Sequence, residues 1–447
     1  MKKKTILIIV ALALIGAFVI TLYNKQKPCT PNGKVVCFDD ESERYLVEDD
    51  AELTIYVKSA AQKAYLLREI KNVVAEASQF TLLVEVNPQI KAWDAVHELD
   101  VDVFYIQQAE AAMMIDHLMV VDESFVNNRS SLGIDHLSET INQVKHVFLP
   151  TTYEGLLFMY NKTLLEQLDF DVERVDEKNR LIELNNWQAI MDLTDAWHQE
   201  KPLKKLNSIF PFNVREPWQF YPFLTAGGWQ MFADDDIEDP GFLSLDFFNS
   251  LVFVDQLFST DWYFNRSLEQ TWNYENALIN NETLLSLASM WVDWDAISEL
   301  KNQEYSYSAF PDHESNNLTP LVKVDGLVIK ANPYPSLSHA VVSVLHKLEG
   351  VQVLLDDGEF NLVIAHDEFE QLTMDTKQYE KSLAYSYSVI EPLVALANNP
   401  HILGWDFYLQ GNLFDVIQQI HSEELTIEQG QAQLVELYDA WYHQNNQ

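Results

Sequence analysis

Basic residues are scarce in this sequence: its 447 residues include 29 lysines and arginines against 68 aspartates and glutamates, for a net charge of -39. Binding to phosphates needs clustered positive side chains, so this balance excludes nucleic acid as a partner. It also argues against adsorption on an anionic membrane surface. Solubility alone accounts for acidity of this kind, so the charge does not by itself identify a ligand.

Cysteine is almost absent, since only Cys29 and Cys37 occur. Between them lies Asn32-Gly33, a tight-turn signal that brings two sulfurs together across a short loop. In an exported chain this spacing predicts a small disulfide. Without a histidine cluster, two cysteines do not form a metal site. The sequence also lacks a phosphate-binding glycine loop and a Gly-x-Ser-x-Gly elbow, so we predict neither metal nor cofactor.

Apolar residues make up 47% of the chain and form one long uncharged run near its start. Lys2, Lys3 and Lys4 precede residues 5–23, which span about 28 Å as a helix, close to the thickness of a bilayer core. No small-x-small cleavage site and no lipid-attachment sequence follows. The basic cluster places the N-terminus inside. We therefore expect an uncleaved signal anchor, with the folded part outside the cell and attached to the membrane.

The remaining sequence alternates between strand-like and helical patterns. Residues 39–52 are acidic and have the composition of a linker. The strand-like runs are residues 53–57, 80–86, 101–106, 156–160, 306–310 and 324–330. The helical patterns are residues 63–78, 187–199, 244–258 and most of 370–441. The alternation predicts α/β architecture with a parallel sheet, and the length predicts at least two domains. Because no Pro- or Gly-rich linker divides the chain, we expect several short crossings between domains.

An aromatic segment, residues 210–232, contains two adjacent charges, Arg215 and Glu216, followed by Pro217 and Trp218. Sugars offer an apolar C–H face that stacks on a flat ring, and hydroxyl groups that need acceptors such as a carboxylate. The segment is therefore typical of a sugar site. A buried amphipathic segment whose rings are core has the same composition, so both interpretations stay open at this point.

A second segment, residues 149–165 (LPTTYEGLLFMYNKTLL), contains Glu154 between a Pro-containing crossing and an apolar strand. It resembles the hinge region of the maltose-binding proteins, which belong to the extracellular solute-binding proteins of ABC importers. Three further blocks resemble the same family in the same order: residues 212–229, 277–297 and 305–329. The resemblance covers the chain from about residue 53 to its C-terminus.

The resemblance implies a two-lobed periplasmic-binding-protein-like α/β fold with discontinuous lobes and a hinge, preceded by the membrane anchor. Residues 1–28 would be the anchor and its flank, and residues 29–52 the disulfide loop and acidic linker. The first lobe would comprise residues 53–150 and 312–360. The second would comprise residues 151–311 and 361–447. Ligand would bind between the lobes, at the carboxyl ends of strands, and would stabilise a closed state.

The resemblance also assigns ligand-binding residues. Glu154 and Glu216 match sugar-hydroxyl acceptors, Pro217 matches a turn and Trp218 a stacking platform. The second platform is either Trp291 or Trp294, because the alignment with the family leaves the local register open. A third platform falls near Trp405, Phe407 and Tyr408, of which we predict Tyr408.

The first lobe departs from the family pattern. Ala60-Ala61 stand where sugar-binding relatives have Asp-Lys, and Ala109-Glu110 follow the third strand where relatives have Trp with Asp-Arg. Each lost hydrogen bond to a ligand is worth about 0.5–1.5 kcal/mol, so the contacts that bind maltose do not transfer as a set. Substitute contacts are available from Gln107, Gln108 and Glu110.

The leading functional hypothesis is a non-enzymatic receptor that delivers an oligosaccharide, maltodextrin-like, to the permease subunits of an ABC importer. One alternative is a sensory or scaffolding relative that does not transport, or a binder of a different solute. The other is a glycosidase that uses Glu154 and Glu216 as its carboxyl pair, since hydrolysis needs two carboxyls roughly 5–10 Å apart. The family resemblance speaks against the enzyme.

Overall fold

The structure is a computed structural model. It describes residues 30–88, 90–121, 147–200, 206–231, 238–262, 274–289, 292–357, 363–364, 369–389 and 402–445. The expected membrane anchor, Cys29 and Trp291 lie outside these ranges. Within them, no helix combines the length and the apolar character that crossing a bilayer requires.

The strands in the described ranges are short apart from one of 14 residues. They are β1 (Phe38–Asp39), β2 (Arg44–Tyr45), β3 (Ala51–Val57), β4 (Phe80–Val86), β5 (Val103–Gln107), β6 (Phe148–Asn161), β7 (Leu285–Ser289), β8 (Tyr305–Ser308), β9 (Val322–Ile329) and β10 (Val363–Ile364).

Helices separate many of these strands and dominate the C-terminal part. They are α1 (Ala60–Val73), α2 (Ala92–His97), α3 (Gln108–Met113), α4 (Lys162–Glu166), α5 (Trp187–Glu200), α6 (Pro217–Leu224), α7 (Leu245–Ser259), α8 (Tyr274–Ile279), α9 (Trp294–Lys301), α10 (Pro335–His346), α11 (Leu348–Asp356), α12 (Thr376–Val389), α13 (Ile402–Leu409), α14 (Phe414–His421) and α15 (Ile427–Asn445). Short 3₁₀ turns occur at Ile115–His117, Ile182–Leu184 and Phe369–Gln371.

The central sheet is mixed, with the strand order β10-β6-β9-β5-β3-β4. Strand β3 is parallel to β4 and β5, as the alternating pattern predicts. Strand β9 is antiparallel to both β5 and β6, so the parallel part is smaller than expected. Helix α1 supplies the crossover that joins the parallel strands β3 and β4.

Strand β6 takes part in two groups of strands. Residues 148–155 pair with β9, and residues 156–161 pair with β7 on one side and β8 on the other. The pairing with β9 is irregular between Pro150 and Thr152, as expected where proline cannot donate a ladder hydrogen bond. The sequence pattern predicts only residues 156–160 as strand, because Pro150 marks an apparent break. In the structure the strand continues through it.

The buried side chains form large clusters of different chemistry. The aromatic cluster lies around α5, α6 and α7 and includes Phe158, Trp187, Phe210, Phe223 and Trp262. The aliphatic cluster lies between β3, α1 and α10 and includes Leu53, Ile55, Val103, Leu327 and Leu337. A third cluster lies beside β6 and includes Trp294, Tyr305 and Tyr307.

The acidic segment before β3 packs against the folded part. Tyr45 and Val47 are buried, and the carboxylate of Glu48 accepts hydrogen bonds from the backbone N–H groups of Ser336 and Leu337 at 2.9 and 3.2 Å. These N–H groups belong to the first turn of α10, where a carboxylate satisfies free donors. Cys37 is disulfide-bonded, and its backbone N–H donates to the Ser336 hydroxyl at 3.0 Å.

Candidate functional site

The aromatic segment divides into a buried part and an exposed part. Pro217 begins α6 at its first position, where proline has no hydrogen bond to lose. Most rings of the segment belong to the aromatic cluster; they are Phe210, Phe212, Phe220, Tyr221, Phe223 and Trp229. Arg215 and Glu216 are exposed, and Trp218 is half-buried. The interpretation as core therefore holds for these buried rings, and the interpretation as a sugar site stays a prediction for Glu216 and Trp218.

Trp218 lies beside the sheet edge that carries Glu154. The ammonium of Lys323, at the start of β9, lies 5.8 Å from the centre of the Trp218 ring, a cation–π distance. Lys323 is directly opposite Glu154 in the antiparallel pairing of β9 with β6. Side chains opposite each other in this way have Cβ atoms about 4.5–5.5 Å apart. Two residues predicted from distant parts of the sequence, Glu154 and Trp218, thus lie on either side of Lys323.

A buried ion pair lies next to this group. Asp325 is two residues from Lys323, and so points to the same side of β9. Its Oδ2 lies 2.7 Å from Nζ of Lys58, whose side chain is only 5% exposed. Lys58 directly follows β3, and its Nζ lies 5.4 Å from the centre of the Tyr105 ring on β5. The carboxyl ends of β3 and β5 therefore already have a cation and its counterion.

The sequence analysis did not identify Lys58, Lys323 or Asp325 as site residues. A signal for Lys58 exists, because it follows a buried strand at the carboxyl end. Lys323 and Asp325 alternate with Val322 and Val324, which are buried. This period-two pattern places both charges on the more exposed side of β9, but only the pairing of β9 with β6 brings them to Glu154.

The residues expected to replace the missing first-lobe contacts have local roles. Ala60-Ala61 form the start of α1, which Ser59 caps by accepting from the N–H of Gln62 at 3.2 Å. The carboxylate of Glu110 accepts from the backbone N–H of Gln107 at 3.3 Å, within a capping box at the start of α3. Gln108 is buried.

A pocket of about 230 Å³ lies on another side of α6. Its lining includes Arg215, Pro217, Phe220, Tyr408, Phe414 and Asp415. Two predicted ligand-binding residues, Pro217 and Tyr408, thus meet here. The Tyr408 hydroxyl donates to the Pro217 carbonyl at 2.6 Å. Burial, followed by the nearby Tyr221 and Glu216, raises the pKa of Tyr408 well above its usual value, so this hydroxyl stays protonated.

Trp294 is packed inside the third cluster. It is buried, and its ring lies edge-on to Tyr305, with centroids 5.3 Å apart. Its indole N–H has no hydrogen-bond partner in the part of the chain that the structure describes. A ring enclosed in this way has no free face for stacking. Because Trp291 lies outside the described ranges, the choice between the two tryptophans stays a prediction.

No group of three metal-binding side chains occurs among the described residues. No protein-family model matches the sequence, and no curated protein matches it significantly. The candidate site consists of the half-buried Trp218, with Lys323 over its ring and Glu154 opposite Lys323 in the pairing of β6 with β9.

Proposed function

We propose that this protein is the extracellular substrate-binding component of an ABC importer and that it binds an oligosaccharide. The observation that carries the proposal is the position of Trp218, which lies over Lys323 and thus beside Glu154 at the edge of the central sheet. An aromatic ring next to hydroxyl acceptors is the combination that a saccharide needs. The resemblance to the maltose-binding proteins assigns ligand contacts to the same two residues, Glu154 and Trp218.

The strand connections support a two-lobed arrangement. The proposed lobe boundaries fall near residues 150 and 311, where β6 passes from one group of strands to the other and where β8 leads into β9. In the proposal these two connections form the hinge. Opening at this hinge would separate Trp218 from Lys323 and admit a ligand, and closure would exclude water from the ligand, which strengthens its hydrogen bonds.

Three of the predicted residues contact the sugar in this proposal. Trp218 stacks on a sugar ring, while Glu154 and Glu216 accept hydrogen bonds from hydroxyl groups. Lys323 moves from the face of Trp218 when a sugar binds and donates to a sugar oxygen. Residues 5–23 anchor the protein in the membrane, with its folded part outside the cell, and permease subunits receive the ligand.

The test measures maltodextrin affinity of the full chain by titration calorimetry. We expect Trp218→Ala to weaken binding by about 1–3 kcal/mol, because stacking area is lost. Trp93→Ala is the matched control, since Trp93 is 58% exposed and lies in α2, away from this site. Equal affinity of Trp218→Ala and the wild type would place the ligand elsewhere. A thermal-shift screen in which no oligosaccharide raises the midpoint would favour the non-transporting relative.

A further inference from the structure

The pocket beside α6 is a separate surface from the Trp218 face. Pro217 and Phe220 are three residues apart and share the side of the helix that lines the pocket. Trp218 does not line it and points instead to Lys323 on β9. The pocket is closed on its other side by the turn between α13 and α14 and by the start of α14. Helix α6 therefore presents two different surfaces.

Arg215 provides the pocket with a cation whose guanidinium has no hydrogen-bond acceptor among the described residues. Its guanidinium lies 4.4 Å from the centre of the Phe414 ring, which fixes its position above the pocket. Within the described ranges, the guanidinium makes neither a hydrogen bond nor an ion pair. Lys58, by contrast, is paired with Asp325. In a chain with a net charge of -39, an unpaired arginine over a pocket points to an anionic ligand group.

The other pocket groups narrow the class of ligand. An arginine fork binds planar anions such as carboxylates through two parallel hydrogen bonds. Asp415 also lines the pocket; it repels an anionic group near it, so a ligand carboxylate has to lie on Arg215, and Asp415 accepts hydrogen bonds from hydroxyl groups. The volume of about 230 Å³ is below the range of about 300–1,000 Å³ for drug-sized ligands. A ligand with one carboxylate, several hydroxyl groups and a single ring fits the arginine, the aspartate and the small volume.

We propose that this pocket binds a sugar acid, with its carboxylate on Arg215 and its hydroxyl groups on Asp415. The inference rests on the proposed saccharide-binding function and specifies it, because it makes the preferred ligand an oligosaccharide with an acidic terminal residue. Arg215 is then a specificity-determining residue, while Trp218 stacks on a neighbouring sugar.

The experiment compares glucuronate with glucose, which differ by the carboxylate, in calorimetry of the full chain. The wild type binds glucuronate at least tenfold more tightly than glucose. Arg215→Gln weakens glucuronate binding by about ten- to a hundredfold and leaves glucose binding unchanged, because only charge-assisted bonds are lost. Arg215→Lys restores part of the affinity, since it keeps the charge without the fork. Arg174→Gln, at an exposed arginine outside the pocket, has no effect.

Three results would overturn the inference: equal binding of glucuronate and glucose, equal losses in Arg215→Gln and Arg174→Gln, or tight binding of free glutamate with none of glucuronate. If Trp218→Ala weakens maltodextrin binding, the proposed function stands whichever of these three results is obtained. Conversely, Arg215-dependent glucuronate binding without any Trp218-dependent oligosaccharide binding would retain the sugar-acid pocket and refute the assignment of Trp218.

Discussion

The first half of β6 pairs with β9 in a sheet whose other strands, β3 and β5, carry mostly aliphatic buried residues. The second half packs its Phe158 ring against Trp187 and Phe210 in the aromatic cluster. The charges differ as well. At the aliphatic end, Lys58 is neutralised by Asp325. At the aromatic end, Arg215 has no ion-pair partner among the described residues, and Trp218 keeps part of its surface exposed.

Two buried lysines show this difference most directly. Lys58 is 5% exposed and ion-paired, whereas Lys381 on α12 is 3% exposed, lies 5.0 Å from the centre of the Tyr307 ring, and has no ion pair within the described ranges. Burying a charge costs free energy unless a partner compensates for it. Ion pairs compensate buried charges in both regions, since Arg180, next to the aromatic cluster, pairs with Asp176 and Asp312. Lys381 is the exception, because it has no ion-pair partner among the described residues.

The largest expected effect comes from the aromatic cluster. Trp187 is fully buried, with its ring edge-on to Phe210 and Phe223 at centroid distances of 5.1 and 5.0 Å. Trp187→Ala should lower the free energy of unfolding by about 3–5 kcal/mol, because it leaves a cavity that aromatic neighbours fill poorly. Urea unfolding measures this free energy, and Trp93→Ala, at an exposed tryptophan, is the control. A loss below about 1 kcal/mol would mean that the rings repack freely.

The aliphatic region should respond most to loss of its buried counterion. Asp325→Ala leaves Lys58 without a partner and should cost about 3 kcal/mol in the free energy of unfolding. Replacing both residues, as Lys58→Met with Asp325→Leu, should restore most of that stability, because no unpaired charge remains. Urea unfolding of the three proteins checks this prediction. If the double variant were as unstable as Asp325→Ala, the pair would be needed for more than mutual compensation.

The smallest expected effect is a gain at Lys381. Burial lowers the pKa of this ammonium below its usual 10.5, against the opposing pull of Asp295, Asp375 and Asp293. In the unfolded chain Lys381 therefore keeps its proton to higher pH than in the folded protein. The free energy of unfolding of the wild type accordingly rises as pH approaches 10.5. Lys381→Met should add about 1 kcal/mol to the free energy of unfolding at pH 7. That gain should shrink towards pH 10; a gain independent of pH would exclude titration of Lys381 as its cause.

Local patterns predicted most element positions well. The strand pattern at residues 80–86 coincides with β4, and the helical pattern at 187–199 with α5. Ser244, placed by the pattern at the start of a helix, caps α7 by accepting from the N–H of Phe247 at 3.1 Å. Helices also occupy most of the described C-terminal part, as expected. These elements follow from periodicity and capping, which depend on residues close in sequence.

The site was less predictable. The sequence indicated Glu154 and Trp218 separately, but it contained no sign that Lys323 lies between them, because that depends on the antiparallel register of β9 with β6. It indicated Tyr408 as one of three candidates for a further platform, and in the structure Tyr408 is buried whereas Trp218 keeps an exposed surface. Arg215 appeared only as a charge among rings. Its role depends on Phe414, which is almost 200 residues away in the chain.

The α/β class, the net negative charge, the positions of most helices and strands and the concentration of aromatic residues at 210–232 follow from the sequence alone. These properties depend on composition and on short-range periodicity. The tertiary structure was needed to show that the sheet is mixed, that β6 joins two groups of strands, that Lys58 is neutralised by Asp325, and that Arg215 lies over a pocket with no ion-pair partner among the described residues. Burial and pairing are long-range properties, since each depends on residues that the fold brings together from distant parts of the chain.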